Sequence, residues 1–466
     1  MGTVCIWAHE LPWRDPAAVF AAWADTEWCV FLDSSGPIED RSRWQIFCRA
    51  PDRVVRVQNG FLVCDDAPRV PFYPEILFAS LKMQMPHGWL GADETLAELP
   101  FFGGWVGFAG YGLGVSLEQI VTRQPVTDEP DFAAAFYDHA IVWDRVEKRA
   151  FLTGFSSTED VGKTLFLRLL PEWEGLPHSP PVKPDVPRLR FEADQSQQSY
   201  CAAVAKARDY IAAGDIFQVN ITGRYKANFP ENYSDISLYL ALREHAPAPF
   251  AAYLACGREY VLHSTSPERF LQVDRNGTIR SRPIKGTAPR GATAADDEAF
   301  AQRLADDEKE RAENLMIVDL MRHDIGRVAR LGSMSVPEFL NVERFAHVHH
   351  LVSEVQGELA AGRDVFDLLQ ATLPPGSVTG APKHRALEII DELEVSPRGA
   401  YCGSVFSIGI DGRVESSVVI RSAIHAGKHL KIAAGGGITI LSDPEKEYEE
   451  MRLKLAPFFS LFGDGA

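Results

Sequence analysis

Short strand-like runs recur along this chain without the regular intervening helices that parallel strands need. Residues 29–32, 54–57, 141–143 and 150–153 are such runs, rich in Val, Ile, Phe and Leu and separated by turn residues. Residues 405–410, 414–424 and 430–433 read as successive strands, with Asp411-Gly412 as a hairpin turn between the first two. Helical stretches fall irregularly among them. Residues 200–213 stop at Gly214, residues 297–322 are rich in Ala, Glu, Leu and Arg, and residues 382–394 start at a proline. Parallel neighbours require a crossover of a dozen or more residues between strands. The irregular mixture therefore predicts an α+β fold with antiparallel sheets.

One composition shift divides the 466 residues. Pro171, Pro177, Pro180, Pro181, Pro184 and Pro187 crowd residues 171–194, which read as an extended connection between a first part, 1–170, and a second, 195–466. Within the first part, residues 101–114 alternate glycine with bulky apolar side chains. The run lacks the Lys-Ser/Thr ending of a phosphate loop, and no helical pattern follows it directly. Close strand packing is the reading preferred for it.

The formal net charge of −17 argues against a nucleic-acid binder, which needs a basic surface. It does not oppose a small anionic substrate held in a local basic pocket. The seven cysteines include no Cys-x-x-Cys pair and read as reduced, mostly buried thiols. The N-terminus has no basic, signal-like region, and no apolar stretch is long enough to span a bilayer, so the cytoplasm is the expected compartment.

Several residues invite chemistry. Lys285 lies between Ile284 and Gly286 in a segment pinned by Pro283 and Pro289. A restricted, partly desolvated lysine makes a nucleophile, although most loop lysines are simply solvated. Glu268 precedes it by one strand, with Asn276-Gly277 as the turn, so a hairpin would bring carboxylate and lysine to the same end of a sheet. Glu313 precedes an apolar helical run, and Glu447 and Glu450 share a face of the last helix. Carboxylates from such distant segments suit Mg²⁺; compensation of the helix dipole is the plainer alternative for the second pair. His349 and His350 stand before Leu351-Val352 with no zinc-type motif, a setting more common for core histidines. Gly435-Gly436-Gly437 follows a strand and reads equally as a tight turn or as a backbone nest for an anion. Arg421 offers a fork for a carboxylate.

Taken in order, these segments resemble the chorismate-utilising enzymes, a family that includes anthranilate, aminodeoxychorismate, isochorismate and salicylate synthases. The resemblance is carried by 214–220, Ser266-Pro-Glu-Arg-Phe270, 282–290, 311–328, 348–352, 376–383, Ile420-Arg421, 434–438 and Glu447-Tyr-Glu-Glu450. It implies two largely antiparallel β-sheets packed face to face and wrapped by helices. Anthranilate synthases carry alanine where aminodeoxychorismate synthases carry the lysine matched by Lys285, and Gln218 replaces the general-base lysine of the water-adding members. The resemblance thus implies amination of chorismate to 4-amino-4-deoxychorismate through a covalent Lys285 adduct. Glu268 would act as general acid, and His350 occupies a position of less defined role. Thr287, Tyr401, Arg421, Gly435, Gly436, Gly437 and Lys454 would bind substrate. Mg²⁺ would sit on Glu313 and Glu450 with Glu447 alongside. Ammonia would come from a glutamine amidotransferase subunit, since no Cys-His-Glu amidotransferase segment is present. The family's N-terminal tryptophan pocket is matched in part, by Ser34, Pro249 and Phe250. Anthranilate synthesis, or a non-catalytic chorismate- or tryptophan-binding role, are the competing readings.

Overall fold

The computed structural model describes residues 2–38, 40–65, 67–91, 94–181, 186–344 and 348–464. Among these residues thirteen strands form one sheet and twelve another. Neighbours pair antiparallel except Thr3–Leu11 with Gly88–Leu90. The two sheets pack face to face through apolar side chains. Phe108 of the second sheet stacks on Tyr260 of the first at 5.5 Å between ring centroids, and Phe136 meets Phe155 edge-on at 5.9 Å. The outer face of the first sheet carries its own core, which gathers Phe20 of helix Pro16–Trp23, Trp173 of helix Glu159–Glu174 and Trp143 of the sheet. Among the described residues no helix is long and apolar enough to cross a membrane.

The two parts of the chain share both sheets, each contributing one unbroken block of strands that meets the other at a single seam. Val30–Asp33 pairs with Phe250–Ala255, and Gly104–Ala109 pairs with Ser404–Gly409. The proline-rich connection also starts later than its composition suggests. Helix Glu159–Glu174 runs through Pro171, whose carbonyl still accepts the Gly175 N–H at 3.3 Å. Burial of Trp173 in its last turn outweighs the proline's missing donor.

Three further expectations change. The long helix expected over residues 297–322 is two helices, Ala294–Asp306 and Glu308–Gly326. Asp307 breaks it by capping the second, its carboxylate accepting the Glu310 N–H at 2.9 Å. The glycine-rich run is the strand Gly104–Ala109 followed at once by the helix Tyr111–Leu117. The Gly110 and Tyr111 N–H groups at the start of that helix donate to the Asp131 and Gly399 carbonyls. The close strand packing is real: a Cβ on Gly107 would lie 2.7 Å from that of Ala134 on the adjacent strand. Finally, the apparent strand at residues 414–424 is two strands, Val414–Val418 in the second sheet and Ser422–Ala426 in the first.

Candidate active site

That last break builds the site. The chain changes sheets twice side by side, at residues 267–268 and at residues 419–421. The crossings are tied together, with the Val418 N–H donating to the Glu268 carbonyl at 3.1 Å and the Thr265 N–H to the Arg421 carbonyl at 3.0 Å. Arg421 has a φ of +51°, a left-handed conformation that a non-glycine residue adopts at a cost. The Thr265 hydroxyl adds a second bond to its carbonyl, at 2.7 Å, and fixes it there. Glu268 and Arg421 thereby face one cavity of about 560 Å³.

Lys285 enters the same cavity from strand Ile284–Pro289. This strand pairs with Val348–Glu358, Lys285 opposite Leu351 and Thr287 opposite His350, so Gly286 is an extra residue. Its φ is +77°. A bulge of this kind re-aims neighbouring side chains and is common beside active sites. Lys285 Nζ donates to the Ser377 carbonyl at 3.3 Å. Burial raises the pKa of Glu268, while a hydrogen bond from Ser377 and the Lys285 charge pull it partly back. The buried acid can therefore hold its proton nearer neutrality than an ordinary carboxyl. Gly286→Ala is expected to cost about 1–3 kcal/mol in a denaturant melt, the range for a strained left-handed residue. Its new Cβ would lie 2.9 Å from Leu304 and 3.0 Å from Glu310. By displacing Lys285 it should also lower turnover about 10²-fold; wild-type stability and rate would exclude this role for the bulge.

Opposite Lys285 lies an acidic wall. Glu313 comes from helix Glu308–Gly326, and Glu447 and Glu450 from helix Pro444–Phe462. Between these helices runs Gly435-Gly436-Gly437, which is neither turn nor nest: it continues the strand His429–Ile438, paired with Gln218–Asn228. The glycines make room for the wall. A Cβ on Gly436 would stand 2.9 Å from Glu447 Oε2, and one on Gly437 would collide with the Gln218 amide, which donates to Glu313 Oε2 at 3.4 Å. Burial raises the pKa of both Glu313 and Glu447, the latter despite a 2.6 Å hydrogen bond from the Ser442 hydroxyl. Burial also acts on Glu450, but Lys454 at 2.7 Å, with Lys309 and Lys285, outweighs it and holds that carboxyl below its usual range. Lys454 further donates to the Gly435 carbonyl at 2.8 Å.

Among the described residues no three His, Cys, Asp or Glu side chains converge as a ready-made metal cluster. Lys309 stands between Glu313 and Glu447 instead, 3.8 Å from each. The donor set still suits a hard divalent cation. The carboxylates are buried, come from two helices and repel each other, and Mg²⁺ typically takes one or two such ligands and completes its shell with water and substrate oxygens.

The remaining expected residues divide cleanly. Tyr401, Arg421 and His350 line the cavity. His350 Nδ1 faces the Gly286 carbonyl at 3.5 Å, and burial lowers its pKa, which favours a neutral imidazole. His349 points away, its Nε2 2.9 Å from Asp297, and is structural. The Thr287 side chain lies outside the described residues. Ser34, Pro249 and Phe250 meet in a separate cavity of about 330 Å³. There the Ser34 hydroxyl donates to the Trp44 carbonyl at 2.8 Å, and neighbouring Asp33 is paired with Arg243 at 2.7 Å.

Sequence reasoning missed Lys309, Glu310 and Asn220 on the main cavity. Lys309 precedes Glu313 by one helical turn, a spacing that would have flagged it. It also missed a buried brace behind the wall. Arg398 donates to the carbonyls of Val378 at 2.8 Å and Asn220 at 2.7 Å, both residues of the cavity, and pairs with Glu394 at 2.7 Å. Its guanidinium lies over the Tyr111 ring at 4.4 Å, and Arg224 pairs with the same Glu394 at 3.0 Å.

Known proteins match this chain in sequence and fold. The chorismate binding enzyme family covers residues 75–460. Aminodeoxychorismate synthase component 1 of Klebsiella aerogenes is 36% identical over 453 residues, 95% of either chain. Anthranilate synthase component 1 of Thermus thermophilus is 41% identical over 361 residues, 75% of either chain. The crystal structure of anthranilate synthase component I from Streptococcus pneumoniae has a TM-score of 0.76 at 28% identity, covering 92% of this chain and 94% of that one.

Proposed function

Since the chain belongs to the chorismate binding enzyme family, we propose that it is an aminating member, converting chorismate and ammonia to 4-amino-4-deoxychorismate. The observation that carries this reading is Lys285, turned by the Gly286 bulge into the cavity that buried Glu268 also faces. The Lys285 amine attacks ring carbon 2, both double bonds of the ring diene shift by one position, and the carbon 4–oxygen bond breaks. Glu268 supplies the proton with which that oxygen leaves as water. Ammonia then attacks carbon 4, both double bonds shift back, the carbon 2–lysine bond breaks to return the free amine, and the new ammonium at carbon 4 gives a proton back to Glu268. No oxidant or reductant is needed. Two allylic shifts replace one direct displacement.

Arg421 and Tyr401 would receive the enolpyruvyl carboxylate, and Lys454 adds positive charge to the same wall. Glu313 and Glu450, with Glu447 beside them, would hold Mg²⁺, which when bound would neutralise the ring carboxylate and orient the ring. His350, neutral against the Gly286 carbonyl, would pack beside the lysine. The reaction would run in the cytoplasm with a glutamine amidotransferase subunit as ammonia source. Ser34, Pro249 and Phe250 would form the walls of a tryptophan pocket in the second cavity.

Incubation of the protein with chorismate, Mg²⁺ and ammonium, followed by mass spectrometry, tests the reading. A product that has gained nitrogen and kept the enolpyruvyl group is expected. Release of pyruvate with fluorescent anthranilate would overturn it in favour of anthranilate synthesis.

A further inference from the structure

Lys309 stands where a cation belongs. It lies in the first turn of helix Glu308–Gly326, where the helix dipole disfavours positive charge. Its ammonium is nevertheless equidistant, at 3.8 Å, from Glu313 and Glu447, which come from two different helices. The three side chains differ in freedom. Those of Glu313 and Glu447 are only 9% and 6% exposed, whereas that of Lys309 is 36% exposed. The carboxylates are also held from behind, Glu447 by the Ser442 hydroxyl at 2.6 Å and Glu313 by the Gln218 amide at 3.4 Å. The anions are thus fixed and the cation between them has a path to solvent. A buried carboxylate pair with no cation would be costly.

We propose that Lys309 is a tethered substitute for the divalent cation. It neutralises Glu313 and Glu447 while the site is empty and swings outward when the metal enters. This rests on the metal reading given above, and it adds a consequence. The metal must compete with an ammonium that never leaves the protein, so the substrate-free enzyme binds it weakly. Binding becomes tight only when the substrate's carboxylate adds its own charge. The lysine thereby couples metal capture to substrate arrival.

The test is Mn²⁺ titration of the substrate-free protein, followed by electron paramagnetic resonance, for wild type, Lys309→Met and Glu313→Gln. Lys309→Met keeps the chain length and loses the charge. It should bind Mn²⁺ about tenfold more tightly or better, because it removes a competing unit charge about 4 Å from two carboxylates. In metal-free buffer it should melt below wild type, and added Mg²⁺ should restore it. A Lys309→Met protein that unfolds without metal and refolds with it supports the same conclusion, and Lys309→Gln provides a second uncharged side chain for the titration. Equal or weaker Mn²⁺ binding by folded Lys309→Met, while Glu313→Gln weakens binding, would overturn the substitution alone. No Mn²⁺ binding by any of the three proteins would overturn the metal reading and the substitution together.

Discussion

Lys285→Ala is expected to lower amination turnover on the order of 10³-fold or more, as removal of a covalent nucleophile generally does. Without the amine, ammonia must displace the carbon 4 oxygen directly. Folding should be nearly untouched. Lys285 is half-buried and donates one hydrogen bond among the described residues, to the Ser377 carbonyl at 3.3 Å, so a stability change within about 1 kcal/mol is expected. Lys285→Arg should not rescue, because a guanidinium stays protonated and cannot attack. The pH profile gives a second check. Burial raises the Glu268 pKa, and the step it serves needs the protonated form. At fixed free ammonia, the Glu268 contribution to turnover should therefore be full below that raised value and be lost as pH rises through it. Stopped-flow assays of both variants across pH, with circular dichroism for folding, measure all of this. Unchanged turnover in Lys285→Ala would remove the covalent mechanism.

Arg398→Met should produce the largest loss of stability, about 3–5 kcal/mol, the cost of leaving a buried charge without its partner. Arg224 still faces Glu394 at 3.0 Å, which places the loss toward the lower end. The Val378 and Asn220 carbonyls also lose their donor. The sign of the pH dependence follows from Glu394. Burial pushes its pKa up, but Arg398 and Arg224 outweigh burial and hold it below the usual carboxyl range. A depressed folded-state pKa contributes stability above the unfolded-state value, about pH 4, and that stability is lost as pH falls through the folded-state value. The gap between wild type and Arg398→Met should therefore be full at neutral pH and narrow in acid. Urea melts at several pH values test this; a gap that is constant with pH would show that Glu394 is not the group involved.

Much of the chemistry was legible because it sits in short runs whose residue types have few uses. Glu268, Lys285, Glu313, Glu447 and Glu450 all reach one cavity, although they span nearly two hundred residues of sequence. The antiparallel α+β class was legible from irregular strand spacing. What escaped was tertiary. Residues 414–424 read as one β-branched strand because local propensity carries no record of which sheet a residue joins. The left-handed Arg421 that divides them is held by Thr265, a contact that spacing cannot show. The glycine triplet read equally as a tight turn or as an anion nest, since glycine serves both. Here it continues a strand paired with Gln218–Asn228, and a Cβ would crowd Glu447 at Gly436 and the Gln218 amide at Gly437. Gly286 is a bulge only in relation to the strand Val348–Glu358. Asp307, by contrast, cut a helix with a cap that the sequence did display.

The seam between the two parts in each sheet bears on how such a chain can be shortened. Severing it in the proline-rich connection would not release a smaller enzyme. It would uncover one long edge along Phe250–Ala255 and another along Ser404–Gly409, each stripped of the strand that covers it. Uncovered edges of apolar strands recruit further chains. The first part of the molecule is thus the selvedge of both sheets, and it keeps the cavity-bearing half from pairing with copies of itself.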